Sequence, residues 1–334
     1  MRNKQLRKLF HQHETYLFLI TCVVLLFLSW KTGGVFSTAE NLRDMVSGIA
    51  TTGILAAGVL VVLISGGIDI SFMSIAAVVQ YSCGYFMLLS GSANLFSVCL
   101  LGAAVGVLLG MINGGLLYLL QAPAIIVTIA TSNVYYGLLI WLSKGKLLNH
   151  FPAWFSAKSS FTVGTLPVLL MLGVFLLTGV LLRFTRIGRC VFAIGGNKTA
   201  AKRLGISLLK MDLFIYGYLG FLSAAAGILQ MYLSQTVAPN TMYGGELEVL
   251  AMVVMGGAAL TGGKGTAVGT LIGTLLIGAV GNGIVLIGIS SYWFDFITGL
   301  IILICFCITG ISSAERKGRR LRHEKEDGQA AGKK

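Results

Sequence analysis

The sequence predicts an all-α multi-pass membrane protein of about ten transmembrane helices, and three observations carry that prediction. Hydrophobic residues make up 56% of the 334, and the mean hydropathy is +0.86. Charged residues make up only 11%, against about a quarter in soluble domains. The apolar residues also run in stretches of about 20, the length that crosses a bilayer core. A soluble enzyme, a disordered tail protein and a disulfide scaffold are excluded. The 44 glycines show no three-residue period, which excludes a collagen-like chain.

The expected spans run over 15–31, 46–65, 70–90, 95–120, 123–142, 163–182, 212–233, 247–261, 266–288 and 292–310. The first follows Arg2, Lys4, Arg7 and Lys8 and resembles a signal peptide. Residues 33–37 offer no small-residue cleavage site and nine spans follow, so a retained anchor is expected. In the fourth span Gly102, Gly106, Gly110 and Gly114 recur every four residues, as Gly265, Gly269 and Gly273 do around the ninth. Positions i and i+4 share a helix face, so each set makes a bare ridge that a second helix can approach closely. The eighth span is short and interrupted by Gly256 and Gly257, which predicts a broken or partial helix. Such backbone is tolerated at membrane depth only under cover of protein or a water-filled cavity.

An even number of spans puts both tails on one side, and the basic residues choose the side. Four lie in the N-tail 1–14, seven between Arg183 and Lys210, one at Lys264 and eight after Gly310, twenty of the 25. Lys31, Arg43, Lys144, Lys146 and Lys158 make up the rest. This bias predicts cytoplasmic tails at 1–14 and 311–334, a membrane domain at 15–310 and a cytoplasmic loop at 183–212. It also accounts for the net charge of +13 through anionic membrane lipid, with no nucleic acid partner.

Ionisable groups are nearly absent from the spans. A charge at the bilayer centre costs about 3 kcal/mol on insertion scales, and no proton relay is visible, so the driving energy is expected from elsewhere. The chain has no phosphate loop of its own: in Ala258-Ala-Leu-Thr-Gly-Gly-Lys-Gly265 the first Gly is an Ala and the residue after Lys264 is Gly. No catalytic constellation, metal cluster or CxxC pair is present in the sequence. The long loop is the most informative segment. Thr199 to Leu204 favours a short helix, with Asn197 as N-cap and Gly205 as a left-handed stop. It suits a docking element for a cytoplasmic motor, or a solvated positive-inside loop.

Asp69 sits between Gly67 and Ser71 ahead of a span; it is either a polar pathway element at a helix break or an N-cap. Asn113 and Asn282 lie beside glycines in apolar spans, where an amide bonds across helices or touches a sugar hydroxyl. Gln80, Thr128 and Thr131 are further pathway candidates, although threonine commonly bonds its own helix. Glu246 and Glu248 are the acids of the expected outer loop 233–248; they meet an external protein or are simply solvated.

Four stretches together resemble the permease subunits of bacterial ATP-binding-cassette importers for monosaccharides, the ribose/xylose-type family that includes autoinducer-2 permeases. They are Ser65-Gly-Gly-Ile-Asp-Ile-Ser71; Gly110-Met-Ile-Asn-Gly114 with Pro123 to Ile129; Gly188 to Asn197 with Ala200, Ala201 and Gly205; and Gly245-Glu-Leu-Glu248 through Gly265, with Asn282-Gly283 downstream. Departures are Phe72-Met73 for the usual Val-Gly, Tyr136 for an Arg, and Thr199 for the Glu of the docking motif. The resemblance implies a non-catalytic pore subunit in a bacterial inner membrane. It implies a second permease, identical or homologous, two cytoplasmic ATPase subunits that use the ATP, and an external sugar-binding protein. Asp69, Ser71, Gln80, Asn113, Thr128, Thr131 and Asn282 would then serve the pathway. Gly188, Arg189, Gly195, Gly196, Asn197, Ala200, Ala201 and Gly205 would serve ATPase coupling, and Glu246 and Glu248 the binding protein. An autoinducer-2 or polyol permease, an ion-coupled carrier and a membrane scaffold are the alternatives.

Overall fold

The computed structural model describes residues 2–90, 93–290 and 292–303, with side chains from residue 14 onward. The expected C-terminal tail at 311–334 and the end of the tenth span lie outside the described residues. The helices, in order, are α1 Arg2–Lys31, α2 Ala39–Gly48, α3 Ala50–Ile64, α4 Phe72–Leu89, α5 Leu95–Leu120, α6 Ala124–Ser143 and α7 Ala153–Ser156. They continue with α8 Leu166–Phe184, α9 Arg186–Gly196, α10 Lys198–Arg203, α11 Leu208–Ser234, α12 Glu246–Met255 and α13 Ala267–Leu286, then α14 Tyr292–Leu303.

Among the described residues seven helices are long and apolar enough to cross a membrane, or eight with α2 and α3 taken as one span bent by 46°. The ten expected spans therefore resolve into unequal pieces. The second is the bent α2–α3 pair. The eighth is only the ten-residue α12 followed by irregular backbone over 256–266, as its glycines predict. The third begins at Phe72 rather than near residue 70, because 67–70 form an irregular, non-helical stretch.

The core sits around α3 and α11. All of α3 apart from Thr52 is buried, and its apolar residues run all round the helix, as expected of a span enclosed by protein. The first glycine ridge forms the tightest seam: the backbone carbonyls of Asp212, Tyr216 and Gly220 on α11 lie directly over Gly114, Gly110 and Gly106 on α5. In lipid no hydrophobic force pulls helices together, so this close van der Waals approach is what the small residues provide. The second ridge packs likewise, with the Gly256 carbonyl over Gly269 and the Met252 carbonyl over Gly273. These contacts run α12 antiparallel to α13.

One end of the bundle gathers Glu14 of α1, the 183–210 segment and the 256–266 turn: Thr266 Oγ1 donates to Glu14 Oε1 at 2.6 Å, and Gly263 packs on Gly196. At the opposite end residues 148 and 237 pair through two 2.9 Å backbone bonds. There Lys158 Nζ donates to the Leu233 carbonyl at 2.8 Å, and Arg43 reaches the Ser160 carbonyl.

Candidate translocation site and coupling segment

The residues singled out at the helix break form one buried polar belt. After α3 the chain turns at Gly66 (φ +86°) and runs without regular structure to α4. Such buried backbone has no helical partners of its own, and unpaired peptide groups away from water are costly. Thr128 of α6 supplies the partners: its hydroxyl accepts from Ile70 N at 3.3 Å and donates to the Ile68 carbonyl at 3.2 Å. Asp69 Oδ1 accepts from Ser71 N and Ser71 Oγ, both at 2.6 Å. Asn113 Nδ2 on α5 donates to Ser71 Oγ at 2.6 Å, and the Tyr135 hydroxyl on α6 donates to Asn113 Oδ1 at 2.9 Å. One turn deeper, Ser74 and Ser132 share a hydrogen bond of 2.7 Å.

Asp69, Ser71 and Asn113 are at most 1% exposed, so the belt is sealed inside the protomer. Asp69 does not occupy the N-cap of α4; Ser71 holds that position and Asp69 folds back onto it. Thr131 bonds the Thr128 carbonyl of its own helix at 3.2 Å. Gln80 is fully buried, and neither of its amide atoms has a partner. Asn282 lies apart from the belt and exchanges hydrogen bonds of 3.1 and 3.2 Å with Asn41 of α2. Glu246 and Glu248 are not on a loop. They stand in the first turn of α12, Glu246 buried and accepting from Gly244 N at 3.2 Å, because the chain turns into helix directly after Gly245.

Sequence reading passed over Ser74, Ser132 and Tyr135. Positions 128, 131, 132 and 135 follow the i, i+3, i+4, i+7 spacing of one helix face; that polar stripe inside an apolar span was the available signal. It also passed over Tyr216, whose buried hydroxyl has no partner and abuts Gly67.

The 183–212 segment folds as two helices. Thr185 caps α9, accepting from Gly188 N at 3.1 Å, and Asn197 caps α10, accepting from Ala200 N at 2.9 Å. Gly205 (φ +83°) ends α10, with Gly205 N bonded to the Lys202 carbonyl and Ile206 N to the Ala201 carbonyl, a left-handed termination. The helix runs one residue earlier than expected and Leu204 becomes its cap. Gly188 and Ala201 are buried, whereas Arg189, Gly196, Asn197 and Ala200 face outward.

Gly195 pins this segment to the bundle. It lies against the Ile64 carbonyl, which accepts from Gly263 N at 2.8 Å, and the Gly262 position sits 2.7 Å from the Gly66 Cα. The rejected phosphate-loop stretch is thus a turn holding the 183–210 segment to the end of α3, directly before the break that carries Asp69. Lys198 of α10 adds an ion pair with the buried Asp212 of α11, Nζ to Oδ2 at 3.9 Å.

A bundle of apolar spans with a broken, polar-belted helix and a capped basic segment at one end defines a membrane permease. The chain belongs to the family described as branched-chain amino acid transport system / permease component, whose model matches residues 41–306. It is similar to the ribose import permease protein of Escherichia coli K12, 30% identical over 87% of this chain and 92% of the relative. The ribose import permease protein of Bacillus subtilis 168 is 34% identical over 82% of this chain and 86% of the relative. The autoinducer 2 import system permease protein of Yersinia pseudotuberculosis IP 31758 is 33% identical over 75% and 71%. No solved structure matches the chain.

Proposed function

We propose that this chain is the pore-forming permease subunit of an ATP-driven importer in a bacterial inner membrane, carrying a ribose-like monosaccharide. The observation that carries the reading is the Gly66–Gly195–Gly262–Gly263 junction. It ties a capped, outward-facing basic helix to the end of α3, directly before the irregular, polar stretch ahead of α4. A motor that moves α9 and α10 from the cytoplasm would act directly on the Asp69 break. ATP binding and hydrolysis then belong to cytoplasmic ATPase subunits docked on Arg189, Gly196, Asn197 and Ala200. A second permease, identical or homologous, completes the pathway. An external sugar-binding protein delivers the ligand at the opposite end, above Glu246 and Glu248. The gathering of Glu14 and the basic 183–210 segment at one end supports cytoplasmic tails.

Asp69, Ser71, Gln80, Asn113, Thr128, Thr131 and Asn282 form the pathway wall in this reading, its belt opening as the break straightens. The ribose import relatives support a sugar; the autoinducer-2 relative keeps a related polyol as the second reading. Membrane vesicles holding the complete importer test it. Labelled ribose should enter with ATP and persist when the ion gradient is collapsed. Asp69→Ala and Asn113→Ala should abolish uptake while the complex still assembles. Normal uptake in both variants removes the belt from the pathway, and uptake that follows the ion gradient removes the ATP-driven class.

A further inference from the structure

The belt is closed inside one protomer in this conformation, and a further polar surface lies exposed near the middle of the helices. The register of the helices gives the depth. Gly256 packs on residues 269–270 of α13 and Met252 on Gly273, which brings Glu248, one turn further along α12, beside residues 276–277, the midpoint of α13. Phe294 of α14 covers Gly281, setting Asp295 about one turn from that midpoint. Glu248 and Asp295 are thus set about one helical turn apart along α13.

The 241–248 stretch connects this surface to α6. Met73 of α4 lies 2.9 Å from the Gly245 position, level with the Ser74–Ser132 bond. Immediately beside it the Tyr136 and Tyr243 rings stack, centroids 3.9 Å apart and planes 11° from parallel. Tyr243 is 39% exposed. Asn133 on the same helix is exposed, its amide donating only to the Ile129 carbonyl at 2.9 Å.

Carboxylates and an amide at mid-bilayer depth persist against a protein interior or a water-filled path, and all three side chains reach the protomer surface. A flat aromatic pair flanked by acceptors is the chemistry that holds a sugar ring: C–H groups on the aromatic face, hydroxyls donating to carboxylates and amides. Contacts of this kind are weak and several, which suits passage rather than retention.

We infer that Asn133, Tyr136, Tyr243, Glu248 and Asp295 form the surface along which the sugar moves, facing the equivalent surface of the second permease. The inference rests on the two-permease importer proposed above and gives its ligand contacts.

The test uses the complete importer in membrane vesicles. Asn133→Cys, Glu248→Cys and, as a control, Leu176→Cys on the exposed flank of α8 are treated with a charged methanethiosulfonate and compared with the parent chain. The first two should react at least about tenfold faster than the control, since the attacking thiolate forms where water reaches the thiol and expels methanesulfinate from the reagent, and ribose with its binding protein should slow them. In parallel, Tyr136→Ala and Tyr243→Ala should cut ribose uptake by about tenfold at unchanged complex yield, with Tyr136→Phe near the parent value. Cysteines as silent as the control in an importing complex overturn the inference, as do alanine variants with parental uptake. Fast labelling with ribose neither carried nor protective leaves the hydrated face standing and refutes the sugar.

Discussion

Two regions of this bundle are held by opposite means. At the α5–α11 seam, backbone meets backbone: Gly106, Gly110 and Gly114 leave no side chain between the helices, and the carbonyls of α11 occupy the space. Around Asp69 the helix is absent, and single side chains from α5 and α6 stand in for the missing backbone partners. The seam has one arrangement, because any shift along it drives carbonyls into Cα atoms. The belt is a set of hydroxyls, one amide and one carboxylate, each able to exchange partners. A transporter needs both, a rigid frame and a segment with a second low-energy arrangement, and here they lie side by side on α5.

The sharpest way to break this comparison is Gly110→Leu. A side chain there would meet the Tyr216 carbonyl, and overpacking a close seam costs about 1–3 kcal/mol or more. The expected result is loss of assembled permease on size-exclusion chromatography, while Gly173→Leu on α8, with nothing within 4 Å of its Cβ position, leaves assembly unchanged. Equal yields would show the seam to be soft.

Gly195→Ala tests the junction between the two regions. Its Cβ would strike the Ile64 carbonyl, so α9 must move away from the break. The predicted outcome is an assembled complex that still hydrolyses ATP but imports several-fold less per ATP consumed. Coupled transport at the parental ratio would detach the segment from the Asp69 break.

The smallest effect is expected from Tyr135→Phe. It removes the last donor of the chain Asp69–Ser71–Asn113–Tyr135, a loss of about 1 kcal/mol. Uptake should fall by about fivefold with the thermal stability of the complex nearly unchanged. A large stability loss would make the belt as rigid as the seam.

The spans were legible because their signal is local: apolar length, with the glycine ridges marking where helices meet. The caps of α10 were equally legible, since Asn197 and Gly205 act within one turn of their own backbone. The partners of the belt were less so. Asn113 and Ser71 are 42 positions apart and Thr128 serves backbone 58 and 60 positions away; nothing in either local sequence announces the other. The glycines of the turn 256–266 marked a break, but their contacts with Gly66 and Gly195 lie more than 60 positions away and could not be read locally.

By itself the sequence determined the medium, most of the apolar spans and the caps of the short basic helix, because hydropathy, caps and glycine geometry act over a few residues of one chain. Only the tertiary structure decided that Asp69, Asn113 and Tyr135 share one sealed belt, that Asn282 stands apart from it, and that Glu248 lies beside the midpoint of α13. Those facts depend on which helices pack together and in what register, and that choice is made by backbone surfaces meeting across long stretches of sequence.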